Sequence, residues 1–315
     1  MTAAGLQGAR QTKLGNRVAT LGPCPVPGGV PRSDRQKLRE EIGRSGSVGM
    51  VGNQTIHAII LRDGGQPSRA LRIFEDLLGR HRSLGGDLQS VPAIEYDAAL
   101  TLLRLGRPAE ALPLFEDVMA AAGKRGDAVL TRGGSVGTVL ALTDTGQLAR
   151  ARSLLLETEP LYVRLRAGKQ YVARLCLFAM AHLSLAQGDA AGARAAIEEA
   201  RSILRLLPNP GDPAWRVVHT YSARLALHER RFDDWVRSAT EALQLSQEQA
   251  LDPAASVYVG EDLVLRAQSR QASGDLVRAR EDARLALQHF EATGATAHPA
   301  GIAASAIVGS SAAER

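Results

Sequence analysis

Gly106-Arg107-Pro108-Ala109-Glu110-Ala111-Leu112-Pro113-Leu114-Phe115 is the stretch whose reading decides the fold. A glycine is followed five residues later by a small residue, and four residues further on by a large apolar one. The spacing recurs at Gly65-Ala70-Phe74, Gly146-Ala151-Leu155, Gly188-Ala193-Ile197 and Gly274-Ala279-Ala283, with a degenerate copy at Arg230-Trp235-Ala239. Successive anchors lie 40 to 44 residues apart. A period near 42 over most of the chain means a repeat array, in which each unit packs chiefly on its neighbours.

The geometry behind the pattern is a helix-turn-helix. Each anchor glycine falls between two stretches with helical apolar periodicity. A helix ends well on a left-handed residue, and glycine adopts that conformation without a Cβ clash. The small residue marks a close helix crossing, and the apolar residue four later lies on the same face. Phe115 and Leu155 are therefore expected in the core. Arg230 and Trp235 break the rule, so that repeat is expected to open or shift locally. Pro113 predicts a helix that starts late or kinks. Asp212-Pro213 and Asp252-Pro253 read as N-caps with proline at the first helical position. His298-Pro299 opens a last, alanine-rich capping helix.

Composition narrows the rest. Apolar residues make up 45% of the chain and aromatics only 4%, so alanine and leucine fill the core, which suits closely packed helices. The formal net charge of +5 is carried by residues 1–52, which are rich in Lys, Arg, Gly and Pro. That segment is expected to be a disordered basic tail. The remainder is balanced, so the basic pI does not imply nucleic-acid binding by the folded part. Two cysteines, Cys24 and Cys176, form no CxxC pair, which fits a reducing cytoplasm. No apolar run is long enough to span a bilayer. Arginine far outnumbers lysine, a bias associated with high-GC bacterial genes.

Chemistry-bearing motifs are absent. The acidic pairs Glu75-Asp76, Glu116-Asp117 and Glu198-Glu199 recur with the fold, which marks a solvated helix face rather than paired catalytic acids. The seven histidines show no metal-ligand spacing. There is no nucleophile elbow, kinase signature or calcium loop. No enzyme activity, cofactor or metal is expected.

The anchors are preceded, seven residues earlier, by Ala58, Ala99, Val139, Ala181, Ala223 and Ala267. With that column, the pattern resembles the tetratricopeptide repeat (TPR), whose common unit is 34 residues. The longer unit here resembles the kinesin-light-chain-like and MalT-like arrays. The stretches Arg62-Asp63-Gly64-Gly65, Leu103-Arg104-Leu105-Gly106-Arg107 and Ala297-His298-Pro299 resemble arrays that follow bacterial serine/threonine kinase domains. The resemblance implies an all-α, right-handed superhelical solenoid of about six antiparallel helix pairs plus a capping helix, over residues 53–315.

It also implies a concave groove lined by the first helix of each pair. The residue six before each anchor is implied to face it: Ile59, Leu100, Leu140, His182, Arg224 and Gln268. The residue ten before gives Thr55, Tyr96, Val136, Phe178, Thr220 and Val264. Arg104, one turn beyond Leu100, joins them. The candidate partner-binding residues are thus Tyr96, Leu100, Arg104, Phe178, His182, Thr220, Arg224, Val264 and Gln268. The period alone leaves open whether the apolar members line a groove or sit in core. The function expected is a non-catalytic scaffold for a peptide or protein partner. The alternative is the regulatory array of a signalling protein that responds to a small ligand. The Asn-and-Lys carboxylate clamp of some such arrays is missing, which disfavours chaperone tails. Oligomeric state and partner identity are not legible.

Overall fold

A computed structural model describes residues 47–84, 90–166, 171–206 and 212–309. Residues 1–46 of the expected tail lie outside the described residues, and its last six, 47–52, belong instead to the first helix, so the array begins earlier than the expected residue 53. The six helix pairs are α1 (Ser47–Asp63) with α2 (Pro67–Leu84), α3 (Val91–Arg104) with α4 (Pro108–Arg125), α5 (Ala128–Asp144) with α6 (Leu148–Arg166), α7 (Tyr171–Ala186) with α8 (Ala190–Arg205), α9 (Ala214–His228) with α10 (Phe232–Gln249), and α11 (Val257–Ala272) with α12 (Leu276–Ala292). The cap, α13 (Pro299–Gly309), packs on both helices of the last pair. No strand occurs among the described residues. The fold is an all-α helical-repeat solenoid.

Every anchor lies where the period puts it. Gly65, Gly106, Gly146, Gly188 and Gly274 all take positive φ, between 68° and 87°, and Arg230 does so as well, at 58°. The alanine columns on either side of the turns meet face to face. Ala58, Ala99, Val139, Ala181, Ala223 and Ala267 are wholly buried, as are Ala70, Ala111, Ala151 and Ala193. Small side chains at both ends of the crossing let paired helices approach closely, which is why so alanine-rich a chain can build a core.

Four local expectations are corrected. The fifth pair does not open: Trp235 is buried against Ala223, Ala226, Ala239 and Leu265. Its indole fits because three of those four neighbours are alanines. Helix α4 does not start late: it begins at Pro108 and runs to Arg125 with Pro113 inside it and exposed, where the proline removes one backbone bond. Asp252-Pro253 does not begin α11, whose N-cap is Ser256; Asp252 caps a turn by accepting from Ala254 N–H at 2.9 Å. Phe115 is fully buried, but Leu155 is only half-buried. It lines a recess of about 770 Å³ with Leu148, Leu156, Met180 and Leu183, where α6 and α7 leave a gap.

The loop that takes up Asp252 and Pro253 has another task. It closes the array on itself. Leu251 N–H donates to Gly64 O at 3.1 Å and Val257 N–H to Gly65 O at 2.9 Å, and the Gln66 amide donates to Ala255 O. The turn of the first pair thus abuts the loop before the sixth. A Cβ on Gly65 would lie 2.0 Å from Ser256 Oγ, so glycine is required there by contact as well as by φ. One repeat later, a Cβ on Gly106 would lie 2.2 Å from Pro299 Cδ at the cap. One apolar cluster runs across this seam, from Leu102, Leu105 and Phe115 to Val257, Phe290 and Ile307.

His289 braces the seam: its Nδ1 accepts from Ser256 N–H at 3.3 Å. Burial lowers its pKa, partly opposed by Asp252.

Phe115→Ala should cost about 3–5 kcal/mol, because it empties a closed site, whereas exposed Glu116→Ala should stay within about 0.5 kcal/mol; urea unfolding measures both. Arg230→Gly should raise stability by about 1 kcal/mol by removing the left-handed penalty, read from the same melts. Because the folded pKa of His289 is depressed, its contribution is complete above about pH 6.5 and is lost as pH falls through the folded value. His219, lowered by burial and by Arg201 with Glu241 partly opposing, adds a second loss of the same sign. Thermal midpoints between pH 7.5 and 5 should therefore fall less steeply in His289→Asn, whose side-chain oxygen still accepts from Ser256 without titrating.

Candidate partner-binding channel

The odd-numbered helices stack side by side, from α1 to α11, and form one wall of the array. The two implied columns separate cleanly on it. Six before each anchor, Ile59, Leu100, Leu140, His182 and Gln268 are half-buried and Arg224 is exposed. Ten before, Tyr96, Val136, Phe178 and Val264 are buried, and only Thr55 and Thr220 remain partly accessible. Tyr96 packs edge-on against Phe115 at 6.0 Å, and Val264 lies in the seam cluster. Thr220 bonds Asp262 at 3.3 Å. Of the nine candidates, Leu100, Arg104, His182, Arg224 and Gln268 therefore keep accessible surface on the first-helix wall. Tyr96, Phe178 and Val264 serve packing, and Thr220 serves a buried polar knot.

That knot ties α9 to α11. Arg216 Nε donates to Asp262 at 2.7 Å, and its other arm reaches Glu261 at 2.9 Å and Tyr258 O at 3.3 Å. Its guanidinium lies 4.6 Å from the Tyr258 ring centroid. Burial alone would raise the Glu261 carboxyl, but Arg216, His298 and Arg104 outweigh it and hold the pKa below its usual range. Asp262, fully enclosed, is raised by burial, which Arg216 only partly offsets. A smaller knot ties α1 to α3: Arg62 donates to Asp63 at 2.8 Å and Asp97 at 2.6 Å. His182 Nε2 meets Asp144 at 2.6 Å across α7 and α5. These pairs link successive first helices and hold the wall together.

Within this frame an aromatic ladder crosses the wall. Phe178 stacks on Tyr221 at 6.1 Å, and His182 lies 5.9 Å from the same ring. Arg224 sits over Tyr221 at 5.7 Å, and Arg104, reaching across the seam from α3, sits over Tyr258 on α11 at 5.7 Å. Burial raises the Tyr221 hydroxyl to a pKa of about 12; Arg224 and Arg104 oppose the rise, and Asp144 and Glu261 add to it.

Tyr221, Tyr258 and Glu261 were not among the sequence candidates. Tyr221 could have been found, since it lies three residues before Arg224 on the same helix face. Tyr258 could not, because its contact with Arg104 exists only once the array closes. No group of metal ligands occurs among the described residues, and no helix of the described residues is long and apolar enough to cross a membrane. Cys176 is buried, and burial pushes its thiol up to about 11, which keeps it protonated and unreactive.

No family model and no curated protein sequence matches the chain. Among solved structures it is similar to a Rap protein complexed with Competence and Sporulation Factor, with a TM-score of 0.60 and 11% identity, over 90% of this chain and 82% of that one. At that identity the likeness is one of fold. The shared fold is a solenoid of antiparallel helix pairs.

Arg216→Ala should cost about 3–5 kcal/mol, because it strands Glu261 and Asp262 without their partner; chemical denaturation measures it. A loss of under about 1 kcal/mol would show that the knot is dispensable.

Proposed function

We propose that this chain is a non-catalytic scaffold that holds an extended peptide, or an extended segment of a protein, in the channel lined by its first helices. The observation that carries the reading is the accessible column Ile59, Leu100, Leu140, His182, Arg224 and Gln268, one side chain per repeat. Packed helices lie about 10 Å apart, and an extended peptide advances about 3.3 Å per residue. Each repeat would therefore read about every third residue. Apolar positions precede polar ones along the column, which gives the channel a direction. The similar Rap structure, itself complexed with Competence and Sporulation Factor, supports the reading.

The long unit is that of kinesin-light-chain-like and MalT-like arrays, and the chain works in a cytoplasm. A second reading, a regulatory array that responds to a small ligand, is favoured by the seam. A ligand inside a closed array can bind the open and closed forms with different affinity.

Selection of a random hexapeptide library on the full chain tests the scaffold. Enriched peptides should bind wild type and Glu198→Ala alike, because Glu198 is exposed on the second helix of its pair. They should lose at least about 1 kcal/mol on Leu140→Trp, which fills the channel. Peptides that bind all three proteins equally would place the site elsewhere.

A further inference from the structure

Closure runs through two consecutive amides. Ser256 N–H donates to His289 Nδ1 at 3.3 Å, and Val257 N–H, the next along, donates to Gly65 O at 2.9 Å. Ser256 is fully buried, and its side chain leaves no room for a Cβ on Gly65. The His289 ring and the first pair therefore hold adjacent residues of one tight loop, and Ser256 cannot move without disturbing Val257.

An imidazole nitrogen that accepts a hydrogen bond carries no proton, so the His289 ring is neutral and bears its proton on Nε2. A second proton must go to Nδ1. It turns an acceptor into a donor that faces another donor, and it places a cation in a buried site.

The surroundings offer that cation little. Helix α11 packs Gly260 against His289. The charged groups of α11 are engaged elsewhere: Glu261 and Asp262 with Arg216, and Arg266 and Arg270 with Asp282 of α12. The Tyr258 ring lies beneath Arg104 and Arg216. Helix α13 carries no titratable residue. One turn either way along α12 stand Leu285, Ala286, Ala292 and Thr293. In the first pair, Asp63 is bonded to Arg62. Asp252, in the loop, opposes the effect of burial only in part, and its carboxylate already accepts from Ala254 N–H. His298, the other histidine of the seam, is the contrast. Its Nδ1 accepts from Ala300 N–H at 3.2 Å, but Glu261 stands 3.5 Å from its Nε2, so a carboxylate is in place for its cation.

We infer that His289 makes closure proton-gated: a proton on its Nδ1 expels Ser256 and opens the array between the first and sixth pairs, while the helix pairs stay folded. The alanine columns at the pair crossings do not titrate, so acid acts on the seam before it acts on the pairs. Opening also draws Tyr258 on α11 away from Arg104 on α3, contacts that exist only across the seam. The closed form requires the neutral ring. Closure is therefore complete above about pH 6.5 and weakens by about tenfold per pH unit below it, until the closed-state ring itself titrates.

Hydrogen exchange of the full chain between pH 7.5 and 5, with each rate referred to that of an unfolded amide at the same pH, tests this. Protection of Val257 should hold down to about pH 6.5 and fall about tenfold by pH 5.5, with amides in the middle of α11 unchanged. In His289→Asn the fall should vanish. Nitrogen NMR of the wild-type ring should show Nδ1 unprotonated at pH 7.5. Val257 protection that stays constant to pH 5, that falls together with the middle of α11, or that falls equally in His289→Asn would overturn the inference. So would a proton on Nδ1 at pH 7.5, a reading that needs no variant. Free exchange of Val257 at every pH in His289→Asn, beside the expected fall in wild type, would support the ring as the latch.

Discussion

Two backbone hydrogen bonds, Val257 N–H to Gly65 O and Leu251 N–H to Gly64 O, make this array more than a row of helix pairs. An open solenoid has two free ends, and each repeat feels only its neighbours. Here the first pair meets the sixth and the second meets the cap. The seam brings Arg104 over Tyr258 and completes the apolar cluster from Leu102 to Ile307. The proposed channel depends on that closure. So does its electrostatics, because its charged groups come from helices far apart in the chain.

Closure makes demands on the sequence that the repeat does not. The glycine at residue 65 serves two constraints at once, a left-handed turn and a contact with Ser256 that leaves no space for Cβ. The loop from Leu251 to Ser256 gives up an early helix start to reach the first pair. His289 supplies the acceptor for Ser256 N–H. On the first-helix wall, arginine outcompetes other cations as a crosslink, because one guanidinium can serve two carboxylates and a carbonyl, as Arg216 does.

The sequence made the local level legible and hid the global one. The anchor turns and the alanine columns beside them follow from spacings of a dozen residues or fewer, and the six pairs follow from their recurrence about every 42 residues. The accessible column ending in Arg224 and Gln268 followed from the same register, whereas the column containing Tyr96 and Val264 turned out to face core, because the helices are long enough to bury it. Trp235 was misjudged because a large residue at a close crossing is costly only when its neighbours are large, and Ala223, Ala226 and Ala239 are small. Asp252-Pro253 was misjudged because a strong local start signal lost to a tertiary contact. The seam depends on small rotations summed over the whole array, and no periodicity carries that sum. Tyr258 went unnoticed for the same reason.

Closure can be tested at a single amide. Val257 is the first residue of α11, and the first N–H groups of a helix have no partner within it. Among the described residues, this one donates to Gly65 O across the seam. Hydrogen exchange of the Val257 amide in the native chain therefore reports the seam and little else. Closure predicts protection comparable to that of amides in the middle of α11. Exchange at the rate of an unbonded helix start, with the middle of α11 still protected, would show an array that is folded but open.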